Sequence, residues 1–120
     1  MTAPQGATPV LRVADYPRAK AHYEKLGFKA VEEGGSPPRF GIFVWGRAQI
    51  FLDGWHGADT PPSPGWRAYL PHPDVAGLAK QIAAAGLMAE GPNETGYGMR
   101  EVVVTDPDGN RLCFGQDVPG

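Results

Sequence analysis

Residues Met99 to Gln116 read MREVVVTDPDGNRLCFGQ: a strand, a tight turn and a returning strand. The turn is Asp106-Pro107-Asp108-Gly109-Asn110, built from the residue types that close reversals. The returning strand begins Arg111-Leu112-Cys113-Phe114. One of Cys113 and Phe114 must face a core, and a cysteine is at home there as a small hydrophobe.

Working outward, the segment before this hairpin predicts a helix. Asp74 is a good N-cap, Val75, Leu78, Ile82 and Ala85 fall on one face, and Gly86 stops the pattern. The same plan occurs earlier in the chain. Asp15 caps, Pro17 lies in the first turn where a missing N–H costs little, Ala19, Tyr23 and Leu26 share a face, and Gly27 ends the helix. Asp15 to Asp74 and Gly27 to Gly86 are both separations of 59 residues. Each helix follows an apolar segment, PVLRV or WRAYL. Strand-like runs follow each helix: FKAVEE, FGIFVWG and AQIFLD in the first half, MAEG, REVVVTD and RLCFGQ in the second. The pattern is βαβββ written twice. The fold class expected is α+β: one domain over residues 1–120, built of two modules at about 8–57 and 64–117. Each module alone is too small to bury much core, so the two must pack together or pair with a second chain.

Composition narrows the function. A net charge of −2 and no basic cluster give no support to nucleic-acid binding. No apolar run approaches the roughly 18 to 20 residues of a membrane span. The N-terminal MTAPQGATPV has neither the basic nor the apolar region of a secretory signal, so a cytoplasmic protein is expected. The single cysteine can form neither an internal disulfide nor, alone, a cysteine zinc site. The 17 Gly and 13 Pro cluster in EEGGSPP, GWHGADTPPSPG and EGPNETGYG. They punctuate short elements, and the middle cluster reads as a linker between halves.

With these elements in place, the chain resembles the vicinal oxygen chelate superfamily of glyoxalases, dioxygenases and bleomycin-resistance proteins. The likeness is carried by PVLRVADYPRAKAHYEKLGF and YGMREVVVTDPDGNRLCF, and within the superfamily it is greatest to the bleomycin-resistance branch. The resemblance implies paired βαβββ modules forming a cupped mixed sheet, usually as a homodimer. It also implies four metal-ligand positions, which fall at Thr8, near Phe51 or Asp53, at Trp66 or Arg67, and at Cys113. A divalent metal wants several convergent histidines or carboxylates, and this set lacks them. No cofactor and no metal are therefore expected. The function that the resemblance implies is sequestration of a bleomycin-like drug, with or without its chelated metal, in clefts between two subunits.

Expected ligand-binding residues are the aromatics Phe40, Trp45, Trp66 and Tyr97, with Asp53 and Glu33 as carboxylates facing a cationic drug. Tyr97 stands out because its Gly-rich loop, ETGYGMRE, imposes no strand alternation, and because it matches a ligand-stacking aromatic of the branch. Pro9 is the expected hinge of an N-terminal arm crossing to the partner subunit. Phe43, Phe51 and Phe114 are assigned to the core, and His22 to the surface. The alternative is a metal-dependent lyase, isomerase or dioxygenase of the same superfamily with an off-pattern site among His56, Asp53, His72 and Glu101.

Overall fold

In a computed structural model, which describes residues 1–119, the chain runs β1 (Val10–Arg12), α1 (Tyr16–Leu26), β2 (Lys29–Gly34), β3 (Phe40–Trp45), β4 (Ala48–Asp53), then β5 (Trp66–Pro71), α2 (Val75–Ala84), β6 (Ala89–Glu94), β7 (Met99–Thr105) and β8 (Arg111–Asp117). The strands form two four-stranded sheets of matching order, β1-β4-β3-β2 and β5-β8-β7-β6. In each, the first strand pairs parallel with the last and the other pairs are antiparallel. The sequence reading of an α+β fold with paired βαβββ units and mixed sheets holds.

The helix ends follow from their capping chemistry. The Asp15 side chain accepts the Arg18 backbone N–H at 3.1 Å, and Asp74 accepts that of Gly77 at 3.0 Å. Each bond satisfies a donor that the first turn leaves free. Gly27 closes α1 at φ +134. A side chain there would also meet the indole of Trp45 at 2.8 Å, so the cap and the packing of β3 both require glycine.

Strand alternation then decides what is buried. Leu11, Phe43, Ile50 and Leu52 of the first sheet join Ala19, Tyr23 and Leu26 of α1. Val102, Val104, Leu112 and Phe114 of the second join Val75, Leu78 and Ile82 of α2. These side chains make one continuous core, bridged between the sheets by Trp45, whose ring is 5.5 Å from Phe28 and 5.9 Å from Phe114. The other face of each sheet points away from that core.

The halves are also joined by a polar seam. The Tyr23 hydroxyl donates to Asp106 Oδ2 at 2.7 Å, in the β7–β8 turn. The Asn110 amide donates to the Arg12 carbonyl at 2.9 Å, and the Ala14 N–H donates to Asp108 Oδ1 at 3.0 Å. Asp106 and Asn110 are both buried, and Asp106 Oδ1 accepts the backbone N–H groups of Asp108 and Asn110. Burial and the Asp106 carboxylate push the Tyr23 pKa well above its ordinary value. His22, assigned to the surface, is half-buried, and its ring packs edge-on against Tyr23 at 4.9 Å. A residue beside a fully buried tyrosine is drawn partway into the same seam, and burial lowers its pKa.

Candidate functional site

The outward faces of the two sheets hold an unusual supply of aromatic and charged groups. On the first sheet, Phe40, Ile42 and Val44 of β3 alternate with buried Gly41 and Phe43, so they point outward. Phe51 does the same between Ile50 and Leu52. Phe51 therefore belongs to the outer face and not to the core as its sequence suggested, because β4 buries its neighbours on either side. Phe40 and Phe51 meet edge to face at 5.5 Å, and Trp55 stacks on Phe40 at 5.3 Å with ring planes only 9° apart. The three rings make a ledge, and Trp55 is 48% exposed at its end.

Asp53 pairs with Phe40 across β3 and β4 and lies at the foot of this ledge. Its Oδ2 is 2.5 Å from His56 Nδ1, and its Oδ1 accepts the Trp55 N–H at 2.8 Å. Burial works to raise its pKa, but the hydrogen bonds from His56 and Trp55 outweigh it and leave the carboxyl below its usual range. The linker is tied down nearby. Arg12 donates to the carbonyls of His56 and Gly57, and Asp59 is held by both Arg12 and Arg67.

On the second sheet, a register shift between Trp66 and Ala68 brings Trp66 and Tyr69 onto the same outward face, with ring centres 5.4 Å apart. Cys113, Gly115 and Glu101 share that face, since Tyr69 pairs with Cys113 and Glu101 pairs with Gly115. The Tyr97 hydroxyl lies 2.9 Å from both oxygens of Glu101. Tyr69 leans over β8 where Gly115 leaves room; any Cβ at 115 would collide with the Tyr69 hydroxyl. Cys113 is fully buried beneath these groups. Its thiol is pushed up to about 12 by burial and by Glu101, so it is neither a thiolate nucleophile nor a ready ligand at neutral pH.

Of the residues singled out by sequence, the structure sets Phe40 and Asp53 on one outer face and Trp66 and Tyr97 on the other. Trp45 lies on the inner side of β3, against Gly27 and Phe114. It lines, with Pro9, Gln49, Tyr69 and His72, a cleft of about 590 Å³ at the junction of the two sheets. Glu33 also turns to the helix side, where it accepts the Tyr16 hydroxyl at 2.6 Å and pairs with Lys20 at 3.0 Å. The Pro9 carbonyl accepts the Phe51 N–H at 3.0 Å. Trp55 and Phe51 join the aromatic set; the signal available for Phe51 was its position between two residues destined for the core.

The four positions at which the sequence resemblance implied metal ligands hold a Thr8 hydroxyl bonded to Gln49, Asp53 bound to His56, Trp66 with Arg67, and the protonated Cys113. Among the described residues no three His, Cys, Asp or Glu side chains converge. This donor set does not fit a divalent metal.

Residues 7–114 match the model of the Glyoxalase/Bleomycin resistance protein/Dioxygenase superfamily. The chain belongs to this superfamily. Among solved structures, it is similar to a bleomycin-binding protein in complex with bleomycin, at 24% identity and a TM-score of 0.80, over 95% of this chain and 99% of that one. A bleomycin resistance determinant encoded on the transposon Tn5 shares 25% identity, also with a TM-score of 0.80, over 95% and 98%. A lactoylglutathione lyase from Agrobacterium tumefaciens, at 22% identity and a TM-score of 0.72 over 96% of both chains, shares the fold. No curated protein matches by sequence. Superfamily membership is thus consistent with both binding proteins and enzymes.

Proposed function

We propose that this protein is a small-molecule binding protein that sequesters a bleomycin-class drug without transforming it. The observation that carries this reading is the ledge of Trp55, Phe40 and Phe51, which presents flat apolar surface on the outer face of the sheet instead of to the core. Planar heterocycles stack on such surfaces. Trp66, Tyr69 and Tyr97 offer the same chemistry on the second sheet. Two such faces enclose a ligand when two chains combine as a homodimer, the ledge of one opposite the tyrosines of the other. The N-terminal arm suits an exchange hinged at Pro9: the Thr8–Gln49 and Pro9–Phe51 hydrogen bonds tie it to the first sheet. A cytoplasmic protein of this kind would hold the drug by stoichiometric binding, with no need of a cofactor.

The test is isothermal titration of metal-free and copper-loaded bleomycin into the purified protein, with its mass in solution measured beforehand. Saturable binding at one or two drugs per dimer, with the drug recovered intact, is the expected result. No heat with either form sends the search to another aromatic ligand. A monomer in solution overturns the two-chain cleft. Turnover of a hemithioacetal substrate dependent on added metal would favour the lyase reading instead.

A further inference from the structure

Among the described residues Glu101 meets no cation. Its residue is only 7% exposed, yet none of the seven ion pairs among the described residues includes it. The nearby cations are engaged elsewhere: Arg100 pairs with Glu94 at 2.8 Å, while Arg111 is held by the Pro64 carbonyl at 2.6 Å and by Glu90. The hydrogen-bond donor on the carboxylate is neutral, the Tyr97 hydroxyl at 2.9 Å; the Tyr69 hydroxyl and Cys113 thiol, on the same face of the sheet, are neutral as well, their pKa values raised by burial and by this carboxylate. A carboxylate removed from water is costly unless a counter-charge meets it.

Three further features point the same way. Tyr97 is 66% exposed and stands between Gly96 and Gly98, around which the chain is open, so its hydroxyl can leave Glu101 without unpacking anything. Tyr97, bonded to the carboxylate through its hydroxyl, and Tyr69, on the same face of the sheet, bring aromatic rings close to it, and such rings attract organic cations. A recess of about 350 Å³, lined by Tyr69, Met99, Gly115 and Gln116 among others, adjoins the site and can take an attached carbon skeleton.

We propose that Glu101, flanked by Tyr69 and Tyr97, anchors an organic cation of the ligand — an ammonium or guanidinium group — and that the Tyr97 hydroxyl holds its place when the site is empty. The ligand class is therefore an amine or guanidine joined to an apolar or aromatic body. The inference rests on the outer face being a small-molecule site and not on the ligand being bleomycin.

The experiment compares benzylammonium with benzyl alcohol, its neutral counterpart, by NMR of the tyrosine rings in the full chain. Benzylammonium should saturably shift the Tyr97 and Tyr69 signals, while the alcohol leaves them in place. Glu101→Gln, which keeps the shape and loses the charge, should weaken the cation about tenfold or more, the scale of a hydrogen bond to a charged group. Tyr97→Phe, which frees the carboxylate and leaves it charged, should tighten it. Equal response to the alcohol, or an unchanged affinity in Glu101→Gln, overturns the anchor. If Glu101→Gln does not fold, weaker cation binding by Tyr97→Phe overturns it as well. Bleomycin titration separates the two ideas: no drug binding with the benzylammonium response intact removes the drug alone, whereas drug binding indifferent to Glu101→Gln removes the anchor alone.

Discussion

Replacing Tyr23 by Phe removes one oxygen from the seam between the two halves of the molecule. The lost bond is the 2.7 Å donation to Asp106 Oδ2. Asp106 retains the Asp108 and Asn110 backbone N–H groups and the Asn110 amide, so its charge stays partly solvated by the protein. A buried hydrogen bond to a charged group is worth about 1.5–3 kcal/mol; with three donors remaining, the loss is set at about 2 kcal/mol. Unfolding entropy near 60 °C is about 2.1 cal/mol/K per residue. Over 120 residues that gives about 0.25 kcal/mol/K, and a fall in Tm of about 8 °C. Circular dichroism melts of wild type and Tyr23→Phe measure it directly. Urea titration should show a lower midpoint with an unchanged slope, because the surface exposed on unfolding is the same. A fall under about 2 °C would refute the seam as a stabilising joint.

The same tyrosine makes stability sensitive to alkali. Its folded pKa is raised, so its contribution is complete below the ordinary tyrosine value near 10 and is lost as pH climbs through the folded value; wild-type Tm should fall above about pH 10, and less steeply in Tyr23→Phe. Phe40→Ala should weaken a stacked ligand about tenfold, the worth of the lost aromatic contact plus its area, as read by tryptophan quenching. Gly115→Ala should cost about 1–3 kcal/mol by forcing Tyr69 off β8, and adding Tyr69→Ala should return part of it; a melt unchanged by Gly115→Ala alone contradicts the close approach. Cys113 should resist a thiol reagent in the native protein and react at once in denaturant, and labelling within minutes under native conditions would show that the thiol is not sealed.

The βαβββ repeat was legible because its signals are local. Asp15 and Asp74 cap through their own side chains, and the Asp-Pro-Asp-Gly-Asn turn closes on itself through the Asp106 carboxylate. The outer faces were only partly legible. Phe40 and Trp45 are five residues apart on one strand, an odd number, so alternation alone sends them to opposite faces. Trp66 and Tyr69, three apart, would likewise have been separated, yet the register shift in β5 unites them, and no residue type announces it. Glu101 was visible as the acidic residue of a second-half strand. Its meeting with Tyr69 and Tyr97 needs three segments placed by the whole sheet.

Because the helices and the inner sides of both sheets hold the core, the outer sides are released from that duty. Phe40, Trp55, Trp66 and Tyr97 are each at least partly exposed, and substitutions at such positions disturb folding far less than those in a packed interior. Under the proposed function, selection can therefore rewrite the ligand while the scaffold stays folded. A library randomised at these four positions should yield mostly folded members with divergent ligand preferences, a route to drug sensors built on one frame.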